Sequence, residues 1–221
     1  MYIKNRISSI CYKLILSVLC LFGLLLNFGV FNGEFNIHVL RYFTVLSNFL
    51  CLVYFIFDLI YLKKNFHDIT ITTWNPTLKG IATMSITVTL LVAHFILGGG
   101  RFIAGTTMGI SMLMSHYIVP IMMIADWLLF DKKGYIKKIS PIVWTSGPII
   151  YFFYTMTAAQ FGGIYTYPFI DVDALGWNRV LLNVSVLTVF FIALGYVFFA
   201  IERILIKLDE RLCKARTGLH P

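Results

Sequence analysis

The sequence predicts an all-α membrane protein, a bundle of six transmembrane helices with both termini on the cytoplasmic side. Three observations lead there. The chain is 59% hydrophobic and only 13% charged, where ordinary soluble domains are about 25% charged. Its charges gather in short clusters between long apolar runs, the pattern of membrane spans. Of its 18 Lys and Arg, all but Arg41, Arg101 and Arg179 fall on one side of an alternating topology, and the positive-inside tendency assigns that side to the cytoplasm. Topology thus explains the formal net charge of +8, and nucleic acid is not an expected partner.

The spans are expected at 9–31, 40–62, 78–97, 107–129, 141–159 and 180–204 of a single domain, 1–221. Each is close to the ~20 residues that cross ~30 Å of hydrocarbon. The first follows Lys4 and Arg6, as a signal peptide would. Its apolar run from Leu14 to Phe31 is longer than a usual signal core and ends in no small-x-small site, so it reads as a retained anchor. The fifth and sixth are joined by an outer segment, 160–179, with Gly162, Gly163, Pro168 and two aspartates. The tail, 205–221, continues as a short charged amphipathic helix suited to an anionic lipid surface. Trp127, Trp144, Trp177, Tyr165 and Tyr167 fit aromatic belts at the two interfaces. Cys11, Cys20 and Cys51 lie in spans and Cys213 in the tail, with no disulfide framework and no metal or redox spacing. Neither a cofactor nor a metal is expected.

The second span carries a polar stripe. Thr44, Ser47, Asn48, Cys51 and Asp58 share roughly a third of the helix circumference at 3.6 residues per turn. Lipid cannot hydrate such a row, so it must face protein or a wet cavity. In the fourth span His116 lies near mid-membrane, where an ionisable group is a functional candidate by default. Pro120 has no N–H, so the carbonyl of His116 is expected to lose its helix partner and the helix to bend. His94, nearer the outer end of the third span, competes with His116 and matches Thr44 better in depth. Asp58 and Asp126 sit at the inner ends of their spans, where ion pairing with Lys63, Lys64, Lys132 and Lys133 is the plain expectation. A proton or cation path toward His116 is the other reading. Arg41, Arg101 and Arg179 could hold an anionic headgroup or carboxylate.

Three stretches occur in order on this framework: Arg41-Tyr42-Phe43-Thr44-Val45-Leu46-Ser47-Asn48, Ser115-His116-Tyr117-Ile118-Val119-Pro120-Ile121 and Gly163-Ile164-Tyr165-Thr166-Tyr167-Pro168-Phe169-Ile170. Together they resemble the bacterial Pr6Pr family of membrane proteins and, more distantly, the androgen-induced family of eukaryotic membrane hydrolases, which cleave fatty acid esters of hydroxy fatty acids. The resemblance covers spans two to six. It implies a threonine nucleophile, Thr44, and a histidine base, His116. From the residues themselves, Ser47, Asn48, His94, Arg41 and Tyr167 are the candidates for substrate or oxyanion support. The resemblance also implies a bacterial cell membrane as the setting, and membrane lipids with a lipid-like substrate as partners.

The leading expectation is therefore an intramembrane hydrolase of lipid or fatty-acyl esters. A threonine hydroxyl is a weak nucleophile and needs an adjacent base, which a neutral histidine supplies. The rivals are a small transporter or channel with a continuous polar path, and a non-catalytic scaffold.

Overall fold

The computed structural model describes residues 2–96, 106–162 and 164–217. Arg101 and Gly163 lie outside the described residues. Among those described, the regular structure is entirely helical.

Helix α1, Arg6–Asn27, starts at Asn5, whose side-chain oxygen accepts from the Ser8 amide at 3.1 Å. Helix α2 is Phe43–Lys64. Helix α3, Pro76–Phe95, has proline at its first position and the Asn75 side chain accepting from the Thr77 and Leu78 amides at 3.0 Å, the usual chemistry of a helix start. The fourth span is compound. Helix α4, Thr107–Leu113, runs through a π turn, Met114–Ile118, into α5, Val119–Phe130.

The fifth expected span is broken. Helix α6, Ser140–Trp144, and α7, Ser146–Gln160, meet at Thr145. Pro148 explains the break, because it lacks an N–H and its ring clashes with the carbonyl four residues back, that of Trp144. A short α8, Val172–Leu175, precedes α9, Trp177–Thr217, of 41 residues. At 1.5 Å per residue α9 is about 60 Å long, twice the hydrocarbon thickness, so its charged end projects well beyond a span. Five helical stretches are long and apolar enough to cross a membrane: Arg6–Asn27, Phe43–Lys64, Pro76–Phe95, Thr107–Phe130 and Trp177–Lys214.

Helix α1 packs on α2, α4 and α5, α3 packs on α2 and α5, and α6 joins α3 to α9. Small residues permit the close approaches, as is common between membrane helices. A Cβ on Gly23 would stand 3.1 Å from the Met114 side chain, and one on Gly80 would overlap the Trp144 indole.

The α1–α2–α3–α5 core is layered along the helix axes. In the middle layer Leu16, Cys20, Cys51, Phe55, Ala82, Ile86, Val119 and Met123 are all fully buried. One turn away lies a charge layer. Lys13 Nζ is 2.8 Å from Asp126 Oδ2 and 3.2 Å from Asp58 Oδ2. Lys79 binds the same Asp126 oxygen and lies 2.6 Å from Asp131. The Trp74 amide at 2.5 Å and the Thr73 and Tyr54 hydroxyls at 3.2 and 3.3 Å donate to Asp58 Oδ1.

This corrects the sequence reading in two ways. The partners of Asp58 and Asp126 are Lys13 and Lys79, not the flanking Lys63, Lys64, Lys132 and Lys133. Lys13 and Lys79 are themselves buried among four helices and are not interfacial charges. The reason is dielectric: a carboxylate withdrawn from water takes the ammonium that is withdrawn with it. Trp127 and Trp144 are likewise inside, in a second core cluster with Met84, Val88, Phe191 and Phe198. Only Trp177 of the three tryptophans assigned to the belts is exposed.

The loop after α5 is tied to α9 by Glu202, whose carboxylate accepts from the Gly134 and Ile136 amides at 3.0 and 3.1 Å. In that loop Lys133 lies over the Trp127 ring, 4.5 Å from its centroid, and burial pushes its ammonium down to about 8.

Two outcomes follow from these charges. Asp126→Asn leaves Lys13 and Lys79 without their shared partner and should destabilise the bundle by about 3–5 kcal/mol, measured by denaturant unfolding in detergent. For Lys133 the folded pKa lies below the unfolded value of about 10.4. The unfolded chain therefore binds more protons between the two, and stability should rise with pH from about 8 to about 10.4. That increment should be missing in Lys133→Met when melting is followed at both ends of the window.

Candidate functional site

A single cavity of about 250 Å³ collects residues from six parts of the chain. Helix α2 contributes Phe43 and Thr44, α3 contributes Val88, Thr89, Val92 and Ala93, and the π turn contributes His116. Helix α7, the Tyr167–Ile170 segment and α9 supply the rest, nearly all aromatic or aliphatic. Apolar walls with a few convergent polar groups describe a small-molecule site.

The position of Thr44 follows from the start of α2. The 3₁₀ turn Ile37–Arg41 ends just before it, and three side chains fix that turn through their hydroxyls. Tyr151 and Thr166 donate to the Arg41 carbonyl at 2.8 and 3.2 Å, and Tyr154 donates to that of Leu40 at 3.4 Å. Thr44 is buried at the head of α2. The Tyr167 phenol lies against the Thr44 hydroxyl and the backbone of Phe43 and Thr44, and its burial raises its pKa above the usual phenol value. The Tyr-Pro-Phe element thereby seals one end of the cavity. Tyr167 stacks on Phe169 at 5.3 Å and meets Tyr151 edge-on at 6.3 Å, and Asn183 of α9 donates to the Phe169 carbonyl at 2.9 Å.

His116 sits in the π turn, a distortion found disproportionately at functional sites. The Val119 amide donates to the Met114 carbonyl, five residues back. In that register the N–H missing from Pro120 would have faced the carbonyl of Ser115. Asn48 supplies a donor there. Its Nδ2 donates to the Ser115 carbonyl at 3.1 Å and to the Thr44 carbonyl at 2.8 Å. From α1, Asn27 Nδ2 donates to the Ser115 hydroxyl at 2.7 Å. The His116 ring is half-buried, and its Nδ1 is enclosed without a hydrogen-bond partner among the described residues.

The other expected residues divide. Ser47 and Asn48 do not line the cavity. Ser47 donates to the Thr44 carbonyl at 3.0 Å and pairs with the Thr89 hydroxyl at 2.8 Å, so both residues brace the wall that carries Thr44. His94 is exposed, with Nδ1 3.2 Å from the Tyr117 hydroxyl, while its neighbour Ala93 faces the cavity. Arg41 is half-buried and lines a separate pocket with His38, Tyr42 and Tyr165. Tyr167 belongs to the cavity.

Sequence reasoning missed Thr89, Tyr151 and Phe191. Thr89 lies two residues beyond Thr87 on a threonine-rich helix, which was the available signal. Tyr151 and Phe191 carry none that distinguishes them from lipid-facing aromatics. Among the described residues no group of three or more His, Cys, Asp or Glu is placed to hold a metal ion.

Fold and site define a multi-pass helical integral membrane protein with an apolar cavity inside the bundle. No protein-family model, curated protein or solved structure matches the chain.

The double hydrogen bond from Asn48 generates a testable outcome. Asn48→Leu removes the donor and strands the buried Ser115 carbonyl, at about 1–3 kcal/mol, while the Thr44 carbonyl keeps the Ser47 hydroxyl. The variant should melt earlier in detergent, and protection of the 114–118 amides in hydrogen exchange should fall more than that of α3.

Proposed function

We propose that the protein is an intramembrane hydrolase of lipid or fatty-acyl esters, with Thr44 as nucleophile and His116 as base. The observation that carries this reading is that Thr44 and His116, far apart in sequence, line one cavity whose other walls are mostly aromatic and aliphatic. An acyl chain fits those walls, and its ester carbonyl would lie where the polar side chains converge. His116 takes the proton of the Thr44 hydroxyl as the oxygen attacks the carbonyl carbon, then gives that proton to the departing alcohol. Water then attacks the acyl–threonine ester, with His116 again as base, and releases the fatty acid and free Thr44. In this reading the Tyr167 phenol, which lies against the Thr44 hydroxyl, donates to the carbonyl oxygen as negative charge develops on it.

The same reading includes six membrane crossings with cytoplasmic termini. Helices α6 and α7 together cover 140–160, about 31 Å at 1.5 Å per residue, enough for a fifth crossing in the order of the chain. Membership of the Pr6Pr group and a bacterial cell membrane are parts of this proposal. A transporter is the weaker reading, because buried Met84, Trp144 and Phe198 lie between the Val88–Phe191 wall of the cavity and Lys79 of the charge layer.

The test is hydrolysis of p-nitrophenyl acyl esters by the full chain in nanodiscs. Thr44→Ala and His116→Ala, each folded by circular dichroism, should each lower kcat by about 10³-fold or more, and the double variant should lose little beyond either. Wild-type turnover that neither substitution alters would refute the pair.

A further inference from the structure

The cavity has a closed end, a reactive end and an open side. Thr44, Tyr167, Phe169 and Ile170 form the reactive end. There α7 and α9 are joined through Ile170, packed with Met156 and Val180. At the opposite end α9 rests on α6, with Gly195 so close to Pro141 that a Cβ would stand 2.8 Å from its side chain. Val88 and Phe191 close the cavity there as part of the second core cluster, and Phe191 is only 8% exposed. Between these two contacts α7 and α9 separate. Ile149 and Phe153 of α7 line the cavity and are also exposed on the outer surface of the bundle. In a membrane that surface is lipid.

The dimensions select the occupant. From Val184 to Phe191 along α9 is about 10 Å at 1.5 Å per residue. The volume of about 250 Å³ lies just below the usual ~300–1,000 Å³ of small-molecule sites. One extended chain fills such a slot, whereas a two-chain lipid would have to leave its second chain outside. Thr188, the one polar residue on the α9 side, donates to its own Val184 carbonyl at 2.8 Å and leaves that wall apolar.

We propose that the cavity admits a single unbranched acyl chain sideways between α7 and α9, with its methyl end against Val88 and Phe191, and that Phe191 sets the longest chain accepted. This rests on the lipid-ester reading for the chemistry at the other end. Phe191 is a specificity determinant and touches no reacting atom.

The experiment uses the full chain in nanodiscs with fatty acids from hexanoic to palmitic, each bearing a photoreactive diazirine near the methyl end. p-Nitrophenyl esters of the same lengths are run in parallel. Wild type should crosslink most strongly at one chain length, with adducts on peptides carrying Val88 or Phe191. Phe191→Ala should move the optimum to longer chains by several-fold in yield, and Phe191→Trp should move it to shorter ones. A length profile that is the same in wild type, Phe191→Ala and Phe191→Trp would overturn the proposal. If Phe191→Ala fails to fold, Phe191→Trp and Phe191→Leu decide by the same criterion. A length cut-off that follows Phe191 in crosslinking, without turnover of any ester, would uphold this inference and refute the hydrolase.

Discussion

The structure depends on a buried ion network that pins four helices to one another. Lys13 of α1 and Lys79 of α3 converge on one oxygen of Asp126 in α5, and Lys13 reaches Asp58 in α2. None of these groups has access to water, so each is tolerable only while its partners are in place. Such an arrangement adds little net stability over a well-packed apolar core, yet any slip of one helix past another would strand a charge. It therefore acts as a register lock. Between membrane helices this matters more than in water, because lipid tails solvate apolar faces as well as protein does and give no hydrophobic preference for one register.

Register is what brings the candidate site together. The apolar layer starting at Leu16 and Cys51 is built directly on the charge layer, and the Thr44–Asn48 and Ser115 contacts are built on that. A one-turn shift of α5 against α2 is about 5.4 Å and would break the Asn48–Ser115 hydrogen bond next to His116. The Asn48 bridge completes the alignment at the cavity itself, because it reads the Ser115 carbonyl and the Thr44 carbonyl with a single amide group. The two levels divide the labour: electrostatics fix helix heights coarsely, and hydrogen bonds to Ser115 fix the π turn finely.

Much of this was legible in the sequence, and the rest was hidden for definite reasons. Charge clustering and apolar runs placed the long helices, and the stripe on α2 announced a buried polar face. Thr44, His116 and Tyr167 were named and share a cavity. The break at Thr145 was hidden because composition counts apolar residues and does not register that Pro148 removes a hydrogen bond. Lys13 and Lys79 were misplaced because a lysine near a span end looks the same whether it points to water or inward, and only the neighbouring helices decide. The π turn was hidden because one extra residue in a helical turn leaves no trace in periodicity. It sets the Ser115 carbonyl opposite Pro120, where Asn48 donates to it.

The most direct test of the account is to react the full-length protein with a fluorophosphonate probe in nanodiscs and locate the adduct by peptide mass spectrometry. The account predicts a single adduct on Thr44, absent in His116→Ala and restored to no other residue. An adduct on a different side chain, or labelling of Thr44 that persists undiminished without His116, would contradict it.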